Sequence, residues 1–264
     1  MSNTDDVAAL RAVEDVARSC AKALGASLMS AIVHGSLTQN DFRPGKSDLD
    51  LLLVVERALT HDQADGLIRV VESAALGPAA GIDLLVVTRH AAAVTSARDP
   101  ARELMVGRWS GSDEMEIARA EEHVSDNWPE LSEARANGRS LIGPSPPEVI
   151  GRVPADRVRV NSLGHLRQWL GLTDDARNAI FMVVTACRMW RFQWRGDHVS
   201  KTAAASWALE HDPSLTGVRS ALSALATSQA VKIAPSEVES VLLRVLRDLE
   251  GETPGEATPD HTWA

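Results

Sequence analysis

The sequence predicts an α+β protein: an N-terminal domain built on a mixed sheet, then a C-terminal all-α helical bundle. Three observations lead there. Short apolar runs of strand length alternate with helical periodicity over the first ninety or so residues. A Pro/Gly-rich stretch, GPSPPEVIGRVP, closes the region ending at Pro154. Beyond it, apolar residues recur almost everywhere at helical spacing. The expected divisions are a domain over 1–153, a helical domain over 154–250, and a polar tail over 251–264 with two prolines, expected to be disordered.

The elements follow in order. Val7, Leu10, Val13, Val16, Ala17, Cys20 and Leu24 fall on one helical face, so Asp6–Leu24 is expected to be an amphipathic helix that Gly25 ends. Ser27–His34 (SLMSAIVH) reads as a buried strand. His34-Gly35-Ser36 and a polar loop with Pro44 and Gly45 come next. Leu49–Val55 is a second strand, Thr60–Ala75 a helix, Gly77–Gly81 a turn, and Ile82–Val87 a third strand. Strand, loop, strand, helix, strand is an α/β arrangement around a mixed sheet. From about Asp99 strand-like runs become scarce. Asp126–Asn137 reads as helix, and 141–153 as the linker. The later helices are expected over 157–170, 175–195, 200–210, 215–227 and 235–250.

The totals narrow the function. With 264 residues the chain fits two modest domains or one large one. Its net charge is −9, whereas proteins that bind nucleic acid usually carry a basic face, so no nucleic-acid partner is expected. The acidic, polar N-terminus is no signal peptide, and no run of about 18 apolar residues suggests a membrane span. A cytoplasmic monomer is expected. Cys20 and Cys187 sit in apolar, helix-like surroundings and read as buried free thiols, with no CxxC or Cys/His cluster to suggest zinc.

The chemistry concentrates at His34-Gly35-Ser36, followed after eleven residues by Asp48-Leu49-Asp50 at the head of an apolar strand. Aspartates at i and i+2 on a strand project from one face. Carboxylates held that close repel each other, and a divalent cation relieves the repulsion. Asp83 heads the third strand. If that strand pairs with Leu49–Val55, Asp83 sits beside Asp50, where it could ligate metal and accept the proton of an attacking hydroxyl. A Gly-Ser turn offers N–H groups and a hydroxyl to phosphate oxygens.

This pattern resembles the polymerase-β-type nucleotidyltransferases, and within them the aminoglycoside adenylyltransferases that modify streptomycin and spectinomycin. Glu103-Leu104 with Gly107-x-Trp109, the stretch 132–154, Asp175-Ala176-Arg177-Asn178, Thr185–Trp190, Ser200–Ala204 and Trp207-Ala208-Leu209 are similar in order to that group. The resemblance covers about residues 10–250. It implies an N-terminal nucleotidyltransferase domain and a C-terminal helical domain. It also implies two magnesium ions held by Asp48, Asp50 and Asp83, with Asp83 the base and ATP the co-substrate. Gly35, Ser36 and Ser47 would flank the nucleotide and metal site, and Arg188 and Lys201 would hold the triphosphate. Trp109, Trp169 and Asp175, with Asn178 in the ungapped register, would contact the aminoglycoside. The group's third carboxylate is normally glutamate; here it is Asp83.

An acidic run fits a cationic acceptor: Asp113, Glu114, Glu116, Glu121, Glu122, Asp126, Glu130 and Glu133 lie within 113–133. Two other functions stay open at this point: a protein-modifying nucleotidyltransferase of toxin–antitoxin type, and a non-catalytic nucleotide or drug sensor.

Overall fold

A computed structural model of the chain describes residues 3–94, 101–112, 114–120, 127–227 and 232–251. Asp113, Glu121, Glu122, Asp126 and the tail from Glu252 lie outside the described residues. The chain divides into two compact units, Met1–Val158 and Arg159–Ala264.

The first unit is a mixed six-stranded sheet with helices on both faces. The strands are β1 (Leu28–His34), β2 (Asp48–Val55), β3 (Gly81–Thr88), β4 (Arg102–Trp109), β5 (Met115–Arg119) and β6 (Arg139–Ile142), in the order β5-β4-β3-β2-β1-β6. β2 and β3 are parallel and the other neighbours antiparallel. A parallel pair needs a crossover. Helix α2 (His61–Ser73) supplies it, started by a capping box in which Thr60 accepts from the Gln63 amide and the Gln63 side chain reaches back.

Period-two alternation splits the sheet into two faces. Val33, Leu49, Leu51, Leu53, Leu84 and Val106 pack under helix α1 (Asn3–Leu24), which contributes Val13 and Ala17, and under Leu67 and Val71 of α2. Ile32, Leu52, Val54 and Val87 face the other way, toward Leu131 and Ala134 of helix α4 (Asn127–Asn137), with Ala92 of the short α3 (Arg89–Ala92) and Ile150. His34, Asp48, Asp50 and Asp83 continue this second face toward one end of the strands.

Three of the strands fall where the sequence offered few strand-like runs. β4 mixes Leu104 and Val106 with Arg102, Glu103 and Arg108, which dilutes its apolar signal. β5 is an edge strand with Glu116 and Ile117 exposed, so it has little apolar pattern to read. β6 is only four residues long and ends inside the stretch read as a linker. That reading is corrected: 141–153 holds the end of β6 and the short helix α5 (Pro146–Val149), and it buries Ile150 in the core of the first unit. Its prolines and glycines turn the chain without loosening it.

The second unit has helices α6 (Ala155–Trp169, whose first turn belongs to the first unit), α7 (Ala179–Arg195), α8 (Lys201–His211), α9 (Thr216–Ala226) and α10 (Pro235–Gly251), with no strand among its described residues. α7 is its centre. Val183, Ala186, Cys187 and Trp190 are buried among Ala204 and Ala208, Val218 and Ala221, and Val241, Leu242 and Val245. Alanines on α8 and α9 let these helices approach α7 closely. The helix expected from Asp175 begins at Ala179; the Asp175 side chain instead folds a turn ahead of it, accepting from the Arg177 and Asn178 amides. Cys20 and Cys187 are free and buried, and burial pushes both thiols up to about 12. Among the described residues, no helix is long and apolar enough to cross a membrane.

Candidate active site

The strand register builds the site. Cross-strand partners run His34–Asp50–Asp83–Gly107–Glu116 in one row over β1 to β5. Residues directly opposite share a face, so the row presents its side chains together. Asp48, two residues before Asp50, joins from the same face. Asp48, Asp50 and Asp83 each offer an oxygen, and these oxygens lie within 4.8 Å of one another. All three side chains are half-buried.

Three carboxylates in that space are electrostatically unhappy by themselves. Asp50 is raised well above the ordinary carboxylate range, by burial first and then by the charge of Asp48; His34 opposes the rise. Asp83 is raised to about 7, again by burial first, then by Asp48, Glu130 and Glu116. A divalent cation with oxygen ligands would remove the repulsion, so the donor set fits magnesium.

The turn after β1 closes the site on one side. Gly35 has φ +67°, and a Cβ there would overlap Asp50 Oδ2, so both its backbone angle and its surroundings require glycine. Ser36 Oγ is buried with no hydrogen-bond partner among the described residues. An orphaned buried hydroxyl of this kind usually has a functional role, such as holding a ligand. Ser47 is less available, since its hydroxyl accepts from the Arg43 amide at 3.0 Å and tightens the loop before Asp48.

His34 is 5% exposed, and its Nδ1 lies 2.7 Å from Glu133 Oε2 on α4. Burial alone would lower its pKa. The hydrogen bond and charge of Glu133, with the charges of Asp50 and Glu130, outweigh burial and raise it to about 9. The imidazolium therefore stands between Glu133 and the aspartates.

Trp109 borders the row. A Cβ on Gly81 would lie 2.5 Å from Trp109 Cδ1, and one on Gly107 would lie 2.8 Å from Asp83 Oδ1 and overlap the Trp109 ring. Two glycines thus leave room for an indole lying over the strands next to Asp83.

The remaining predicted residues belong to the second unit. Trp169 stacks on His165 at 5.5 Å between ring centres and meets Phe181 edge-on at 5.7 Å. Lys201 Nζ lies 5.3 Å from the centre of the same Phe181 ring, so Trp169 and Lys201 share one aromatic patch. Arg188 on α7 is half-buried with no ion-pair partner among the described residues. Asp175 and Asn178 are brought together, but with each other: Asn178 Nδ2 donates to Asp175 Oδ2 at 2.7 Å.

Spectinomycin 9-adenylyltransferases of Staphylococcus aureus, including those of strains Mu50 and N315, are 30% identical over 196 residues, covering 70% of this chain and 72% of theirs. The chain belongs to the aminoglycoside adenylyltransferases. The family's C-terminal domain model (aminoglycoside adenylyltransferase, C-terminal domain) matches residues 148–244. A crystal structure of spectinomycin adenyltransferase AAD(9) from Enterococcus faecialis, solved with ATP and spectinomycin, superposes with a TM-score of 0.70 over 91% of this chain and 99% of that one. At 20% identity it shows a shared fold. This adenylyltransferase is therefore a nucleotidyltransferase with an α+β fold.

Sequence reasoning missed the link from α4 to the row. Glu133 was visible only as one of eight acidic residues, and its partner His34 lies 99 positions away. The available signal was weak: a histidine ending a strand beside the Gly-Ser turn. Gly81 and Gly107 were noticed as turn and motif residues, not as the space that Trp109 fills.

Proposed function

We propose that this adenylyltransferase moves AMP from ATP to a hydroxyl of spectinomycin, streptomycin or both. The observation that carries the reading is the in-register meeting of Asp48, Asp50 and Asp83 beside the orphaned Ser36 hydroxyl. Asp48, Asp50 and Asp83 would hold two magnesium ions, which when bound neutralise charge on the phosphates and on the leaving pyrophosphate.

The chain's own residues do the rest. The Gly35-Ser36 turn offers the unpartnered Ser36 hydroxyl to phosphate oxygens, and Arg188 and Lys201 add positive charge to the triphosphate. Asp83 accepts the proton of the acceptor hydroxyl as its oxygen attacks the α-phosphorus; the bond to pyrophosphate breaks on the opposite side. Trp109, with Glu116 and Glu130 near Asp83, suits a cationic sugar, through its ring face and through charge-assisted hydrogen bonds to ammonium groups. Trp169, Asp175 and Asn178 are further candidate contacts for the aminoglycoside. Because Asp175 and Asn178 are already bonded to each other, Trp169 is the better candidate of the three.

Purified protein incubated with ATP, magnesium and each drug should yield a product heavier by one adenylyl group in the mass spectrometer. Binding of nucleotide and drug without any product would sink the reading and mark a sensor. Adenylylation of protein in a drug-free lysate would mark the protein-modifying alternative.

A further inference from the structure

We propose that Glu133 is a positioning residue: it fixes the turn carrying Gly35 and Ser36, and so sets how that turn meets the nucleotide. This rests on the reading above that the turn receives the phosphates.

Glu133 is 3% exposed and sits on α4 between Leu131 and Ala134, both packed in the core. A carboxylate in such a place is costly unless its oxygens are well bonded. Here they accept from His34 Nδ1 at 2.7 Å, from the Gly35 amide at 3.4 Å and from Gln39 Nε2 at 2.5 Å. All three donors belong to the six residues that end β1 and form the turn. The bonds within the turn are local: Thr38 Oγ1 and the Gln39 amide donate to Gly35 O, and the Asp41 amide to Ser36 O. Glu133 instead ties the turn to a helix from a distant part of the chain, at its beginning and near its end. An apolar residue would serve the packing of α4 equally well. The carboxylate adds orientation: it spans the turn from behind while Ser36 Oγ stays unpartnered.

A catalytic site held slightly loose loses much of its effect, because buried donors must already point at the ligand. The consequence falls on nucleotide binding first, since Gly35 and Ser36 are the groups displaced. The test uses the full chain and calorimetric titration with ATP-Mg in the absence of acceptor, with melting curves alongside. Glu133→Met keeps length and helix preference but removes every acceptor; it should weaken ATP-Mg binding about tenfold or more. Gln39→Ala cuts one arm and should weaken it by about threefold. Glu133→Gln keeps an oxygen for His34 and Gly35, and its amide can pair with a flipped Gln39, so it should recover most of the affinity. With acceptor present, KM for ATP should rise more than kcat falls.

A lower melting temperature with unchanged ATP-Mg affinity in Glu133→Met would reduce the residue to a structural one and overturn the proposal. Should that variant not fold, unchanged affinity in Gln39→Ala would overturn it alone. Wild-type protein that binds no ATP-Mg would defeat the functional reading itself, a distinct result from wild-type binding that no variant alters.

Discussion

The sheet and the helical unit assemble their polar residues in opposite ways. Along the row His34–Asp50–Asp83–Gly107–Glu116, residues from five strands are forced together by hydrogen-bond register, and repulsion among them remains as raised carboxylates. In the helical unit, the polar side chains near the predicted contacts are either paired nearby or left without an ion-pair partner. Asp175 pairs with Asn178 inside one turn, Arg191 with Asp197, and Arg188 has no partner among the described residues. The lesson is that unrelieved charge, held by rigid elements, is the stronger mark of chemistry. A satisfied local pair is mostly architecture.

The contrast can be broken hardest at the aspartates. Asp48→Asn or Asp50→Asn should cost about 10³-fold or more in turnover, because the charge stabilisation supplied with the ion goes too. The fold should survive, and the metal-free melting temperature should rise as repulsion is relieved. Steady-state rates and scanning calorimetry report both; a variant retaining a tenth of wild-type turnover would remove the metal site from these residues.

Asp83 comes next. Asp83→Asn should still bind ATP-Mg and drug while the chemical step slows by about 10²–10⁴, the usual worth of a general base. Rapid-quench kinetics separates that from weakened binding. If extra magnesium restores the rate, Asp83 is a ligand and not the base. Asp83→Glu, which restores the family's usual side chain, should keep partial or better activity.

Removing metal exposes the row through pH. Asp83, raised to about 7, is protonated more readily in the folded chain than in the unfolded one. Its contribution is therefore complete below the ordinary carboxylate value and is lost as pH rises through about 7. His34, raised to about 9, loses its contribution between about 6.5 and 9. In EDTA the melting temperature should fall with rising pH across both windows. Asp83→Asn should make the fall across the lower window shallower, leaving the share of the raised Asp50, and spare the upper one. A wild-type curve that rises between pH 5 and 7 would contradict the sign.

The helical unit should answer more softly. Arg188→Ala or Lys201→Ala should raise KM for ATP by about tenfold through loss of one charge-assisted contact, with little change in melting. The smallest effect is expected at Asp175→Asn, an exposed local pair: drug KM within about twofold of wild type, since such pairs are worth little. A large rise in streptomycin KM there, measured beside spectinomycin, would restore Asp175 as a drug contact.

Much of this was legible in the sequence because it depends on short-range periodicity. Two aspartates two apart must share a strand face, Gly35 before a serine must make a turn, and helical spacing after Pro154 must give helices. β4, β5 and β6 were not legible, since their apolar residues are diluted by arginine and glutamate or are too few to alternate clearly. The Pro/Gly stretch over 141–153 misled for a related reason: turn chemistry says where a chain bends, not whether the bend is buried.

The sequence by itself determined which residue types stand at the head of each strand, and thus the carboxylates and the Gly-Ser turn. Only the tertiary structure decided that Asp83 lies level with Asp50, that Gly81 and Gly107 make room for Trp109, and that Glu133 reaches His34 and Gln39 from α4. Those facts depend on strand register and helix placement, which are set by the packing of apolar surfaces far apart in the chain, where no local spacing rule applies.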